Sequence, residues 1–403
     1  MRAKRLVAAA TAAVLAAGIV AIATPATAAV DICKAKNVKE AGGLDNLVKA
    51  AKKEGKLALI ITPRSWSNYG LIMDVYEKAF GVKVTVDNPD GSSQYGVDTM
   101  KTAPKSKQPD TIEVGPIVVP QLTPPGSKPL TAPYQVINWN DIPSTAKETS
   151  GLWYGNYAGK MAIVYDTSLS PAPTKASDFT NPAYKGFVGI TGDPTSSNQA
   201  FMSVLAASIG NGGEKNLGDV TKGLELFKTI KDQQGALVKV STSNLGAGAV
   251  KLGFMWDFNA VGTIPLAKAA GLNINFAYPT DYVLQAPPYF MGVNAKSPNC
   301  ANARLWIEFL YSQNKGKTID QLTPADLKLS GSKLFALMQG GQNYWRQAGA
   351  DPIMSAAMTK KKLLLPSQLD FEVPATAKIV GPSTIADSVG AREAVIAQWP
   401  SIK

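Results

Sequence analysis

Between Leu44 and Val86 the apolar residues switch from helical to strand-like spacing and back, and this alternation restricts the fold more than any other feature of the chain. Leu44, Leu47, Val48 and Ala51 recur at three- and four-residue intervals, which predicts a helix over 44–53 stopped by Glu54-Gly55. Leu57 to Ile61 is a short continuous apolar run, the pattern of a strand covered on both faces. A polar loop over 62–68 leads into a second helix, predicted over Tyr69–Phe80 with Leu71, Ile72, Val75, Tyr76 and Phe80 on one side. Gly81 closes it, and Val82 to Val86 alternates as a strand. Helix, strand, loop, helix, strand in this order implies a parallel α/β unit.

The same reading places further strands at Ile112–Val114, Lys160–Asp166, Phe187–Ile190, Gly253–Trp256 and Tyr289–Val293, and helices at Gln199–Ile209, Leu224–Ile230 and Ala301–Tyr311. The proline-rich stretch 116–133 is expected to be a long loop. After Lys360 the periodicity weakens, which predicts an extended tail wrapped on the body and a last short helix near Ala391–Gln398. A chain of 403 residues has room for two or three domains and a large core that needs no metal or disulfide staple.

Residues 1–28 read as a secretion signal: a basic start at Arg2, Lys4 and Arg5, an Ala-rich uncharged run from Leu6 to Ala23, a break at Pro25, and small residues for cleavage after Ala28 or Ala29. A permanent membrane anchor is the alternative, disfavoured by the weak hydrophobicity of alanine. Cys33 follows a charged residue in Val30-Asp31-Ile32 and so does not fit a lipid-modified cysteine. Removal of the leader's three basic residues takes the formal charge from +11 to +8. That excess is spread thinly, which argues against nucleic acid as a partner. Cys33 and Cys300 are the only cysteines, and both would lie in a compartment that permits disulfides; they either pair or remain two buried thiols. No histidine occurs, which excludes every Ser-His or Cys-His mechanism and every zinc site with histidine ligands.

Ligands in open α/β sheets bind beyond the carboxyl ends of strands. One such loop carries Arg64, Trp66, Ser67 and Asn68 ahead of a helix start, and a second carries Asp193, Thr195, Ser196, Ser197 and Asn198 in the same position. Helix N–H groups with nearby hydroxyls and amides suit an anion or a polar ligand, although Ser67, Asn68 or Ser197 could simply cap a helix. Trp256 and Asp257 close a third strand, where a ring face and a carboxylate can hold a cation, or a core tryptophan can precede a turn. Ser92 and Ser93 form a weaker fourth loop, and Tyr289 is a further candidate. No phosphate-binding loop, dinucleotide fingerprint, metal cluster or nucleophile elbow is present, so no cofactor, metal or catalytic residue is assigned.

Several segments, in their order, resemble the extracellular solute-binding proteins of bacterial ABC transporters. They are the helix ending Lys52-Lys53-Glu54-Gly55-Lys56 with its apolar strand, Trp66 to Gly70, and Phe80 to Val84. Gly151-Leu152-Trp153-Tyr154-Gly155 leading to Ala162–Asp166 is similar to the strand that crosses between lobes. Phe179 to Gly186 and the helix over 302–312 also match the family pattern. The resemblance spans roughly residues 40 to 345, nearest the iron, polyamine and phosphonate branches.

It implies an α/β, two-lobed type II periplasmic-binding-protein fold, with mixed sheets flanked by helices and a ligand cleft between the lobes. Lobe one would comprise residues 30–157 plus 291–345, lobe two 158–290, and residues 346–403 a C-terminal extension. Cys33 and Cys300 would then share a lobe, which favours their pairing. The iron binders' adjacent tyrosines are absent, as is histidine; Trp66, Trp256 and Asp257 partly fit a cation site, whereas Arg64 and Thr195–Asn198 fit an anion site. The expected protein is secreted, non-enzymatic and monomeric. It captures a small polar or charged solute and delivers it to a membrane permease; a secreted hydrolase with paired carboxylates and a cell-surface interaction protein are the alternatives.

Overall fold

A computed structural model describes residues 30–241, 244–245 and 247–402. The leader expected over residues 1–28 lies outside the described residues. The chain begins with α1 (Leu44–Glu54), β1 (Lys56–Ile60), α2 (Tyr69–Phe80), β2 (Lys83–Asp87), α3 (Ser93–Thr102) and β3 (Thr111–Val114). The apolar stripes of α1 and α2 bury Leu47, Val48, Ala51, Ile72, Val75 and Tyr76, and Gly55 and Gly81 end the two helices in the left-handed conformation that glycine adopts without a Cβ penalty. β1 and β2 pair in parallel, Leu57 beside Val84, as the α/β pattern predicts.

Next come β4 (Thr131–Ala132), β5 (Tyr154–Gly155), β6 (Tyr157–Ala158), β7 (Met161–Asp166) and β8 (Gly189–Ile190). They are followed by α4 (Asn198–Ser208), α5 (Thr221–Gln234), β9 (Val238–Lys239), β10 (Leu252–Trp256) and α6 (Ala260–Ala269). β11 (Ile274–Ala277), β12 (Tyr282–Leu284), β13 (Phe290–Asn294) and α7 (Cys300–Leu310) complete the main body. One lobe is built on β3-β13-β4, with β5 also on β13, beside the β1–β2 pair; the other is built on β10-β7-β11, beside β8–β9.

Two crossing segments run antiparallel between the lobes. Tyr154 pairs with Met291, Asn156 N–H donates to Tyr289 O (3.0 Å), and Ala286 N–H donates to Gly159 O (3.0 Å). A third short strand, β14 (Asp351–Pro352), pairs with β6, and Lys160 forms a 2.7 Å ion pair with Asp351 alongside.

One stretch differs from the sequence reading, and one helix was not assigned in it. The proline-rich segment is not loop throughout: Pro116–Leu122 forms a 3-10 turn that buries Ile117, Val118, Val119 and Leu122. Helix α6 contains Gly262 and Pro265, residues that argue locally against a helix. The C-terminal part carries α8 (Gly331–Leu337), α9 (Gly341–Gln347), α10 (Ser355–Lys360), β15 (Lys378–Val380) and α11 (Ile385–Gln398), the last being longer than its periodicity predicts.

Polar pins hold the first lobe together. The Glu54 carboxylate accepts from the backbone N–H groups of Ala301 (3.0 Å) and Asn302 (2.8 Å), meeting the positive end of α7. Asp110, fully buried, accepts from Ala58 N–H, Ser297 Oγ and Asn299 N–H, which ties β1 to the start of α7. On the apolar side of α7, Trp306 packs edge-on to Tyr76 with centroids 5.1 Å apart, and burying a side chain of that kind contributes about 1.5–3 kcal/mol.

Cys33 and Cys300 form a disulfide across 267 residues, and Arg304 reinforces it by donating to Cys33 O (2.7 Å) and Ala35 O (2.9 Å). Such a cross-link restricts the unfolded chain, and a disulfide typically contributes about 2–4 kcal/mol. The double variant Cys33→Ser/Cys300→Ser is expected to unfold at lower denaturant concentration by that amount. An unchanged midpoint in a urea titration would show the bond to be dispensable.

Candidate functional site

A cleft of about 420 Å³ opens where the two lobes meet. From the first lobe it is lined by Ile61, Thr62, Ser65 and Trp66 after β1, by Ser92 and Ser93 at the start of α3, and by Glu113 of β3. From the second lobe come Thr191, Ser197, Asn198 and Gln199 at the start of α4, together with Met255, Asn259 and Thr263. Tyr69 and Tyr289 also face it, and Asp90 and Lys239 stand exposed at its rim.

The lobes touch across this space. Gln94 N–H lies 3.5 Å from Ser196 O. A Cβ added to Gly115 would stand 2.1 Å from Asn198 Cγ, and one added to Gly262 would stand 2.7 Å from Ser65 O. Glycine at both positions therefore permits the close approach of one lobe to the other.

Local rules explain the cleft-facing ends of α3 and α4. Ser92 caps α3 by accepting from Tyr95 N–H (3.2 Å), and Ser197 caps α4 by accepting from Ala200 N–H (3.5 Å). Each hydroxyl that accepts a capping bond keeps its own proton to donate. Both helix starts open on the cleft, so orphan N–H groups and the positive ends of two helix dipoles converge there from opposite lobes.

Asn198, 3% exposed, has neither Nδ2 nor Oδ1 in a hydrogen bond among the described residues; it lies near the Tyr289 hydroxyl without completing one of normal geometry. Asn259 donates to Gln199 Oε1 (3.1 Å) but leaves its Oδ1 unpaired. An unpaired buried amide costs roughly 1–3 kcal/mol, so these groups are suited to partners that a solute supplies.

Aromatic rings form the floor. Trp66 donates from Nε1 to the Tyr157 hydroxyl (3.0 Å) and packs edge-on to Tyr289 with centroids 6.1 Å apart. Glu113 lies beside them and accepts from the hydroxyls of Tyr69 and Tyr157 and from Asn156 Nδ2. It keeps some surface on the cleft, yet burial outweighs these three bonds and pushes its carboxyl up to about 7. Ile61, at the end of β1, has φ of 50°, a left-handed backbone that a β-branched residue adopts at a cost, and such strain concentrates at functional sites.

Of the residues singled out in the sequence, Trp66, Ser92, Ser93, Ser197, Asn198 and Tyr289 line this cleft. Arg64 does not: it pairs with Asp74 and donates to Gly70 O on the outer surface. Ser67 is buried with its hydroxyl unpaired, and Asn68 donates to Tyr344 O (2.8 Å), so both lie behind the wall. Asp193, Thr195 and Ser196 shape the turn before α4, with the Asp193 carboxylate accepting from Thr195 N–H and Oγ.

Trp256 is 1% exposed, stacks on Phe258 and donates to the Tyr289 hydroxyl (3.2 Å), so it supports that tyrosine from behind rather than meeting a solute. Asp257 is fully buried, accepts from Tyr278 OH (2.8 Å), and is pushed up to about 7 by burial. The cause is what packs on each side chain: Phe258 and Tyr289 cover Trp256 and Tyr278 holds Asp257, so both turn into the core, whereas Met255 of the same strand faces the cleft. Glu113 and Gln199 were not anticipated, whereas Asn259 ends the candidate loop that begins at Trp256; the signal for Glu113 was a lone charge inside the apolar strand Ile112-Glu113-Val114.

The family described as bacterial extracellular solute-binding protein matches residues 126–340. Among solved structures, the periplasmic binding protein AfuA from Actinobacillus pleuropneumoniae, with fructose-6-phosphate bound, shares 15% identity at a TM-score of 0.57 over 86% of this chain and 98% of that one. AgtB from A.tumefacien R10, in complex with agropinic acid, shares 16% identity at a TM-score of 0.57 over 86% and 98%. The apo ferric ion-binding protein A of Pasteurella haemolytica shares 15% at 0.52, again over 86% and 98%. No curated protein sequence matches. These likenesses are to type II periplasmic binding proteins and identify the two-lobed fold. The chain belongs to the bacterial extracellular solute-binding proteins, the components that capture small solutes outside the cytoplasmic membrane for ABC importers.

Proposed function

We propose that the cleft takes a small anionic solute that also carries hydroxyl groups, in the manner of a phosphate ester, and that the closed protein presents it to a membrane permease as a monomer. The observation that carries this reading is the convergence of the α3 and α4 N-termini on one space, with the Asn198 amide at the start of α4 lacking a partner among the described residues. Ser92 and Ser197 add hydroxyl donors at the anionic end. The Glu113 carboxyl and the Trp66 and Tyr289 rings suit a hydroxylated, partly apolar remainder.

The bound fructose-6-phosphate of AfuA has that chemistry, and this chain shares its fold. A cationic, polyamine-like solute is the second reading, favoured by Glu113 and Asp90 at the same cleft. The lobes are proposed to divide at 30–157 plus 291–345 and 158–290, with 346–403 as the extension.

Thermal unfolding of the mature protein against sugar phosphates, phosphonates, polyamines, ferric chelates and free sugars tests the proposal. A solute at a hundred times its dissociation constant stabilises by about 2.7 kcal/mol. A shift confined to the phosphorylated compounds supports the anionic reading. A shift with polyamines alone transfers the assignment to Glu113 and Asp90.

A further inference from the structure

The C-terminal extension does not end on one lobe. Phe371 stacks on Phe276 and packs on Tyr278, and β15 adds in parallel to β12, with Val283 beside Ile379. The chain then turns through Gly381, where a Cβ would stand 2.2 Å from Gln285 O, and enters α11 through the capping box of Thr384 and Asp387. This helix buries Ser388, Ala391 and Val395 and lies against the first lobe's 3-10 turn Pro116–Leu122. Just beyond it, Trp399 is 3% exposed and packs edge-on to Phe227 of α5 in the second lobe, with centroids 6.1 Å apart.

At the middle of α11, Arg392 makes one bond to each lobe. Its Nε donates to Thr195 O (2.8 Å), in the turn that leads to Asn198, and its Nη2 donates to Gln94 Oε1 (3.1 Å), in the first turn of α3. Gln94 is itself held by Gln121, whose Nε2 donates to the same oxygen (2.8 Å). The guanidinium thus joins the two helix starts that frame the cleft, at the place where Gln94 N–H already approaches Ser196 O. Moving the lobes apart on this side requires at least one charge-assisted bond to break.

We propose that α11 is a clasp and that Arg392 is a positioning residue: it holds the starts of α3 and α4 in register and biases the protein toward the closed arrangement before any solute arrives. The proposal rests on the cleft lying between two movable lobes and is independent of which solute binds there. A protein biased toward its binding-competent state loses less of its intrinsic affinity to the conformational step.

The test measures lobe separation in the solute-free, full-length mature protein. Spin labels are placed on cysteines introduced at Lys52 of α1 and Lys228 of α5, both exposed, and their separation is read by pulsed dipolar spectroscopy. Arg392→Ala is expected to raise the open-to-closed ratio roughly tenfold, as befits the loss of hydrogen bonds from a charged donor, with little change in melting temperature. Val395→Asp, which lifts α11 from its seat, is expected to widen the distribution at least as much. Arg392→Lys restores a charge but not the two-way fork, and is expected to fall between alanine and the native residue.

An unchanged distance distribution in both Arg392→Ala and Val395→Asp overturns the clasp. Widening in Val395→Asp alone overturns the role given to Arg392. Because no solute enters the measurement, its failure is separate from failure of the anionic reading.

Discussion

Replacing Asn198 with alanine is expected to weaken binding of the cognate solute by roughly ten- to a hundredfold while leaving the empty protein at least as stable as before. The two halves of this result have one cause. In the solute-free structure the Asn198 amide is buried and neither of its polar atoms is paired among the described residues, so the empty protein carries a desolvation cost that alanine removes. When a solute fills the cleft, the native amide gains a donor and an acceptor contact, and the alanine variant forgoes both. Affinity and stability should therefore move in opposite directions, the usual sign of a residue kept for function rather than for folding. Calorimetric titration with the phosphorylated compound that raises the melting temperature, paired with urea unfolding of the empty protein, reads both quantities. Unchanged affinity would remove Asn198 from the site, and a loss of stability above about 1 kcal/mol would make it a structural amide instead.

Between about pH 4.5 and 7 the protein is expected to become less stable as pH rises, by several kcal/mol in total. Asp257 is fully buried and Glu308 is 2% exposed; burial pushes both carboxyls up to about 7 despite the bonds from Tyr278 to the first and from Ile137 N–H and Tyr134 to the second. A group whose folded pKa lies above its unfolded value binds more protons in the folded state, so stability is greatest below the unfolded value and falls as pH rises through the window. Raising a carboxyl's pKa by one is equivalent to about 1.36 kcal/mol, so each of these two groups contributes on the order of 3–4 kcal/mol. Glu113 acts in the same direction but more weakly, because water in the cleft reaches it. Asp326, held down to about 2 by Lys317 and Thr323, has the opposite sign, and its contribution is lost only as pH falls below the window. No histidine titrates in between. Melting temperatures at about pH 5 and about pH 7.5 in matched ionic strength decide the matter: a flat or rising profile would contradict the assignment of these carboxyls.

Elements whose signals are local were legible in the sequence. The α1–β1–α2–β2 unit follows from apolar spacing together with Gly55 and Gly81, and the strand-to-helix loops at Trp66 and Asn198 follow from the rule that ligands sit beyond strand ends. Readings that depend on what covers an element were not legible. Trp256-Asp257 has the same local pattern whether it faces solvent or core, and only the arrival of Tyr278 and Tyr289 from later segments decides it. Helix α6 runs against its own propensities because Gly262 is required where the helix meets Ser65 O, a contact between residues almost two hundred positions apart. Glu113 interrupts an apolar strand, yet its role depends on Tyr69, Asn156 and Tyr157 reaching it from other elements. The clasp was hidden for the same reason: the last helix was visible in outline, but the reach of Arg392 to two separate turns is a property of the assembled fold.

The bond between Cys33 and Cys300 also has a mechanical meaning. A force applied to the chain ahead of residue 33 does not have to peel the N-terminal arm from the surface residue by residue. It passes covalently into the first turn of α7, a helix whose Trp306 and Phe309 pack on Tyr76 and Phe80 and which is braced at its N-terminus by Glu54. Tension is thereby delivered to the buried helix α7 without first running through the crossing segments. The arm's load thus enters the fold at α7 and not at the segments that join the lobes.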